Sequence, residues 1–293
     1  MGDHAYEIVR GFSEIGIHRT GTQGDRDTLQ WLGSKLALCG ADVSFHTFPY
    51  HHFDAELCVW SIGKSIEAEA LYYSFTGKRY LRNPATGLVD AHADDNVIFS
   101  EIDCMVAEAK VDGHDGLVLA TRCPIGDLCA INRDHRMNLE FPVILVSQDN
   151  LKTIQTNGAE ISFAASVRKR MAKNVIAHFP GPAGAKRVVV TTPISGWFRC
   201  AGERGCGLAI AIFVSKQLSK SFAVDLLLTS GHELGMCGGY HLAQSYNAKP
   251  GCVIHLGSCI ANIDAKMTSI CSADTVTAGR IAGAVARPVK CTL

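Results

Sequence analysis

Val224-Asp225-Leu226-Leu227-Leu228-Thr229-Ser230-Gly231-His232-Glu233-Leu234-Gly235 is the stretch whose reading decides the fold. Its first half, apolar except for Asp225, has the length and composition of a buried strand. The second half turns through Ser230 and Gly231 and opens into Gly-rich, helix-compatible sequence. In open parallel sheets the carboxyl ends of the strands line the ligand crevice. An imidazole and a carboxylate, His232 and Glu233, stand side by side at such an end, as the site of an α/β hydrolase requires.

The neighbouring sequence continues the pattern. Upstream, Val175 to Phe179 reads as a strand closed by Pro180-Gly181-Pro182, Arg187 to Thr191 as a second strand, and Gly205 to Leu218 as a strongly apolar helix. Downstream, Gly235 to Tyr246 reads as a helix and Cys252 to Leu256 as a strand. Strands alternating with helices imply right-handed crossovers and a mainly parallel sheet with flanking helices. Beyond Leu256, only the stretch Val276 to Val285 has weak helical character.

Towards the N-terminus, Ala5, Ile8, Val9, Phe12 and Ile15 recur at helical spacing. The turn-rich stretch Gly16 to Gly24 comes next, then a second helix from Asp25 to Leu38 with Gly40 as its stop. Ala41 to Pro49 alternates as a strand. Between residues 55 and 172 the texture changes to short strand candidates, Val97 to Ile102, Gly116 to Ala120, Val143 to Val146 and Ile161 to Ser166. They are punctuated by Gly, Pro, Asp and Asn, with one amphipathic segment from Asp149 to Thr156. The expected organisation is an α/β domain formed by 1–54 and 173–293, interrupted by a small β-rich insert at 55–172.

Composition narrows the partners. Of 293 residues 47% are hydrophobic, enough for a sizeable core, and Lys plus Arg balance Asp plus Glu at 28 each. No global field therefore draws the chain to nucleic acid or to a membrane surface. The N-terminal residues have no signal-peptide apolar core, and no run reaches the ~18 apolar residues of a membrane span. A cytoplasmic protein is expected. The twelve cysteines are scattered, with no Cys-Xaa-Xaa-Cys pair, which favours reduced thiols over zinc or disulfides. Cys39, Cys58, Cys206, Cys252 and Cys259 sit among apolar neighbours and read as small buried hydrophobes.

The parallel-sheet reading brings distant residues to one crevice. Ser195 follows the second of these strands, His232 and Glu233 follow the third, and His255 lies in the fourth. Glu203 and Arg204 precede the apolar helix. Each also has a plainer reading: Glu233 as an acid favoured at a helix start, His255 as a core histidine, Arg204 as the ion-pair partner of Glu203, Ser195 as a turn cap. His232-Glu233-Leu234-Gly235-Met236 lacks the second histidine of a zincin helix. Gly202 to Gly207 has the wrong spacing for a dinucleotide loop. Ser195 lacks a Gly-Xaa-Ser-Xaa-Gly setting.

The order of these segments resembles the co-catalytic di-zinc aminopeptidase family, which includes bacterial leucyl aminopeptidases, glutaminyl cyclases and the transferrin-receptor ectodomain. Glu203-Arg204-Gly205-Cys206-Gly207 matches the loop of the bridging aspartate, Gly231-His232-Glu233-Leu234-Gly235 the Glu-Glu motif, and His255-Leu256-Gly257 the Asn-Leu-Asp segment. The insert resembles the protease-associated domain that often accompanies this family. The resemblance implies hydrolysis of amide or peptide bonds in small substrates, with zinc or manganese as cofactor.

Several family positions are changed. Thr192 or Pro193 stands where the first histidine ligand belongs, Glu203 replaces the bridging aspartate, His232 the general-base glutamate and Gly257 the next aspartate. No His-rich closing segment is present, so the sheet is expected to be incomplete at its C-terminal edge. On this reading Glu203, Glu233 and His255 are candidate ligands for one divalent ion, His232 and Glu233 are candidate catalytic groups, and Ser195 and Arg204 line the substrate. Two other readings stand beside it: a metal-free hydrolase using Ser195, His232 and Glu203, and a non-catalytic protein that uses the fold for binding.

Overall fold

The computed structural model describes residues 2–90, 95–122, 126–258, 268–271 and 289–292. Two helices lead in, α1 (Gly2–Ile15) and α2 (Gln23–Leu38). The Thr22 hydroxyl caps α2 by accepting from the Asp25 amide at 3.3 Å, the usual way of satisfying a free helix-start N–H. Leu29, Leu32 and Leu36 recur on one face of α2 and are buried with Phe12 of α1.

Two strands of 20 residues dominate the middle of the chain: β1 (Asp42–Ser61) and, far beyond it in sequence, β8 (Glu160–Phe179). They pair antiparallel from Asp42 opposite His178 to Trp60 opposite Glu160. Between them lie β2 (Lys64–Ser65), β3 (Ala68–Ala70), β4 (Gly77–Leu81), β5 (Ala85–Asp90), α3 (Asp95–Val111), β6 (Leu117–Arg122), β7 (Val143–Val146) and α4 (Gln148–Asn157). Both expected domain boundaries, near 54 and 172, fall inside these two strands. Pro49 is accommodated where β8 is the only strand neighbour of β1 among the described residues, since an edge strand tolerates a missing N–H.

After β8 come β9 (Arg187–Pro193), a single π-turn at Ala201–Gly205, α5 (Cys206–Leu218), β10 (Ala223–Thr229), α6 (Cys237–Ser245) and β11 (Cys252–His255). The seven-stranded sheet runs β11-β9-β10-β8-β1-β2, with β4 also on β8. Strands β9, β10 and β11 are mutually parallel, whereas β8 is antiparallel to both β10 and β1. This is an α/β fold with a central sheet and flanking helices. A second sheet, β3-β7-β6-β5, packs its own core, and β12 (Thr268–Cys271) pairs with β13 (Val289–Thr292).

Two sequence expectations are corrected. Val97 to Ile102, read as a strand, is part of α3: Ile98, Ile102, Val106 and Ala109 are the buried positions, a helical spacing that a six-residue window concealed. Cys58 and Cys252 are exposed rather than buried, and Cys39 and Cys206 are only partly buried. The expected helix at Val276 to Val285 and Cys259 lie outside the described residues.

What fixes the crevice is a polar clamp between β8 and the end of β10. Asn174 of β8 is fully buried; its Oδ1 accepts from the Ser230 amide at 2.9 Å and its Nδ2 donates to the Gly238 carbonyl at 2.8 Å. Gly238 lets α6 approach closely: a Cβ there would press into the Ser230 carbonyl oxygen and stand 2.8 Å from Asn174 Oδ1. Gly238→Ala should therefore lower stability by about 1–3 kcal/mol, the usual cost of overpacking. An unchanged urea midpoint for this variant would contradict the packing.

Candidate functional site

The loop after β10 is shaped by two left-handed glycines, Gly231 (φ 79°) and Gly235 (φ 70°), which bracket His232-Glu233-Leu234. A Cβ at Gly231 would lie 2.6 Å from Cys237 Sγ, so only glycine fits. The tight turn drives the Glu233 side chain inward, where it is fully buried. Its Oε1 accepts from the Thr20 amide at 2.6 Å and its Oε2 from the Ser195 hydroxyl at 2.6 Å. Ser195 Oγ in turn accepts from the His232 amide at 3.1 Å, and Thr20 Oγ1 from the Gly231 amide at 2.8 Å. One carboxylate thus joins the N-terminal turn, the end of β9 and the end of β10.

Beside it lies a buried guanidinium. Arg204, carried by the π-turn, is 2% exposed. Its Nε donates to the Ser195 carbonyl at 2.9 Å, Nη1 to the Ser258 hydroxyl, and Nη2 to His232 Nδ1 at 2.8 Å. Glu203 Oε1 stands 2.8 Å from the same Nη2. A guanidinium has no lone pair to offer, so the bond to His232 requires Nδ1 to be the acceptor and places the ring proton on Nε2. Burial first, then the charge of Arg204 and the proximity of His255, push the His232 pKa down to about 4. At neutral pH the ring is therefore uncharged and presents an N–H away from Arg204.

All six expected site residues belong to this region. Ser195, Glu203, Arg204, His232 and Glu233 are linked by hydrogen bonds or ion pairs, and His255, at the end of β11, lines a cleft together with His232. Their local roles differ from the simplest expectations. Ser195 Oγ meets the Glu233 carboxylate and the His232 main chain, not the His232 ring, so the serine–histidine relay of the metal-free alternative is not built. Glu233 commits both oxygens to protein donors and Glu203 faces Arg204. Among the described residues no group of three or more His, Cys, Asp or Glu side chains is arranged to hold a metal ion, so the expected ligand set of Glu203, Glu233 and His255 does not fit one.

Thr20, Asp25 and Ser258 escaped the sequence reading. Asp25 accepts from the Gly21 amide at 2.8 Å and from the Ser230 hydroxyl at 3.1 Å. Burial raises its pKa to about 6, the hydrogen bond from Gly21 opposing and the charge of Glu233 adding. His18, stacked on Phe12 at 3.6 Å between ring centroids, donates to Thr28 Oγ1 and is pushed by burial down to about 4. The turn His18-Arg19-Thr20-Gly21-Thr22 showed only that polar residues cluster between two helices, which the Thr22 cap of α2 already explains in part.

No family model and no curated protein matches this chain in sequence. Solved structures do match in fold. The peptidase M28 precursor from Shewanella amazonensis aligns with a TM-score of 0.68 at 18% identity, over 98% of this chain and 78% of that one. BSAP, a zinc aminopeptidase from Bacillus subtilis, aligns at 0.64 and 14% identity over 84% of this chain, which spans only 65% of that enzyme. The aminopeptidase from Aneurinibacillus sp. strain AM-1 gives 0.53 and 13%, over 84% and 66%. The fold is that of the zinc aminopeptidases. No helix among the described residues is long and apolar enough to cross a membrane.

The buried titratable groups set a pH dependence whose sign can be worked out. A histidine whose pKa falls on folding contributes stability above its ordinary value of 6.5 and loses it as pH falls through about 4. Asp25, raised on folding, contributes most below 3.8 and loses its contribution as pH rises through about 6. Two histidines oppose one carboxyl, so stability should fall on acidification below pH 6.5. Urea titrations across this range should show a shallower slope for His232→Gln and a steeper one for Asp25→Asn; identical slopes for all three proteins would refute the assignment.

Proposed function

We propose that this chain is a zinc-aminopeptidase-fold protein that binds a small ligand at its strand-end crevice and does not hydrolyse peptide bonds there. The observation that carries this reading is Arg204. A permanent cation, fixed by Ser195, Ser258, His232 and Glu203, occupies the loops to which the family resemblance assigns metal ligands. Aminopeptidase chemistry of the family type needs a metal to polarise the carbonyl and activate water. A guanidinium offers neither an open coordination position nor an acidic bound water.

The catalytic alternative, hydrolysis by a rebuilt site with His232 as general base, is opposed by the same bond. With Nδ1 held by Arg204, the neutral ring has only a donor left to offer. The β-rich segment between the long strands, which we read as protease-associated-like, supplies a second wall: Asn132 accepts from Trp197 Nε1 at 2.9 Å, and the Arg133 amide donates to the Glu233 carbonyl at 3.1 Å. The balanced charge supports a small-molecule ligand over nucleic acid or membrane. The free thiols of Cys39, Cys58, Cys104, Cys200, Cys206, Cys237 and Cys252 support a reducing, cytoplasmic setting.

Purified protein assayed on a panel of aminoacyl anilides and dipeptides, with and without added zinc or manganese, should show no turnover, and elemental analysis should find zinc well below one per chain. Metal-dependent turnover abolished by His232→Ala would overturn the proposal.

A further inference from the structure

The crevice opens onto a cleft of about 420 Å³ between α6 and the ends of β9, β10 and β11. That volume suits a small organic ligand. Its walls are apolar: Val189, Leu227 and Leu242 are buried side chains, and Val253 of β11 extends the same face outward. Thr229, Ser230, His232 and His255 stand at one end, while the Tyr246 hydroxyl, towards the other, is already committed to Asp225. No acidic side chain is among its described lining residues. An amphipathic ligand therefore has one orientation available, tail along the sheet and head at the histidines.

The sign of that head is set by the groups behind it. Arg204 brings a full positive charge to the inner side of His232, and the one carboxylate paired with it among the described residues, that of Glu203, is 43% exposed and partly screened by solvent. The other nearby carboxylate, Glu233, is closed off by Thr20 and Ser195. The imidazole relays the charge: a guanidinium donating to Nδ1 polarises the ring and strengthens Nε2–H as a donor. Nε2 has no hydrogen-bond partner among the described residues. A donor of this kind, backed by a cation in a half-buried apolar setting, calls for an anionic acceptor and disfavours an ammonium.

We propose that this cleft binds a small carboxylate with an apolar tail, the carboxylate held by His232 Nε2–H and His255, the tail by Val189, Leu227, Leu242 and Val253. The inference rests on the binding-module reading but reverses the recognition that an aminopeptidase needs, since such an enzyme must accept a free amino group at its reacting end.

Three probes of one shape and different heads test it: isocaproate, isohexanol and isohexylamine, titrated by calorimetry or by NMR shift perturbation. Isocaproate should bind at least about tenfold more tightly than the alcohol, with the amine weakest, as expected for a charge-assisted bond replacing a neutral one. His232→Phe, which keeps the ring and removes the donor, should reduce the preference to about threefold or less while the thermal midpoint shows the protein folded. His255→Ala, at an exposed strand end, should weaken isocaproate and leave the alcohol unchanged, and it decides the matter if the His232 variant fails to fold. Equal affinities, tighter binding of alcohol or amine, or no binding of any probe would overturn the inference. None of the probes has a bond that a peptidase cleaves, so this outcome is independent of the turnover panel.

Discussion

A carboxylate with no access to water is the constraint on which the rest of the crevice depends. Burying such a charge without compensation costs many kcal/mol, and the protein compensates Glu233 with two short charge-assisted bonds from Thr20 and Ser195. Those donors come from segments far apart in the chain, so the bonds form only when the N-terminal turn, the end of β9 and the glycine-bracketed loop after β10 are all in place. Asn174 and Asp25 extend the same network to β8 and α2. Glu233 is a keystone of tertiary structure, and its position at a strand's carboxyl end is shared with groups that do chemistry in other sheets of this kind.

The guanidinium of Arg204 is the second half of this arrangement. A metal ion would draw ligands from all directions and exchange one of them for water or substrate. A guanidinium is planar, donates along fixed directions and never exchanges. It therefore organises Ser195, Ser258 and His232 as a metal might, yet leaves no vacant position for a reacting group. Its charge is permanent, and it gives the crevice an electrostatic character of its own.

Much of the fold was legible because it was written in periodicity. The buried runs of β9 and β10, the amphipathic faces of α1 and α2 and the apolar α5 all announce themselves over several turns or alternations. Where the window was short the reading failed, as for α3, whose buried residues need about three helical turns to show a stripe. The extent of β1 and β8 was hidden for a different reason: Pro49 and the basic run Arg168-Lys169-Arg170 look like interruptions, but on a solvated two-stranded ribbon neither breaks the pairing. Ser195, His232, Glu233 and His255 were singled out from strand ends and Glu203 and Arg204 from the start of the apolar helix, while their partners could not be named. Thr20 and Asp25 act through a main-chain amide and a hydroxyl contact made across the whole length of the domain, and no local pattern encodes that.

The long ribbon of β1 and β8 also has a consequence for how the molecule comes into being. Trp60 meets Glu160 and Asp42 meets His178, so the entire segment between the strands must be gathered before the first pair can close. Once that has happened, each later pair forms by extension of its neighbour and costs little further chain entropy. The economical order of assembly begins with the local β5-α3-β6 and β7-α4 units, proceeds by zipping down the ribbon, and reaches Asn174 near its end. The crevice, which hangs on Asn174, would then be the last part of the fold to acquire its shape.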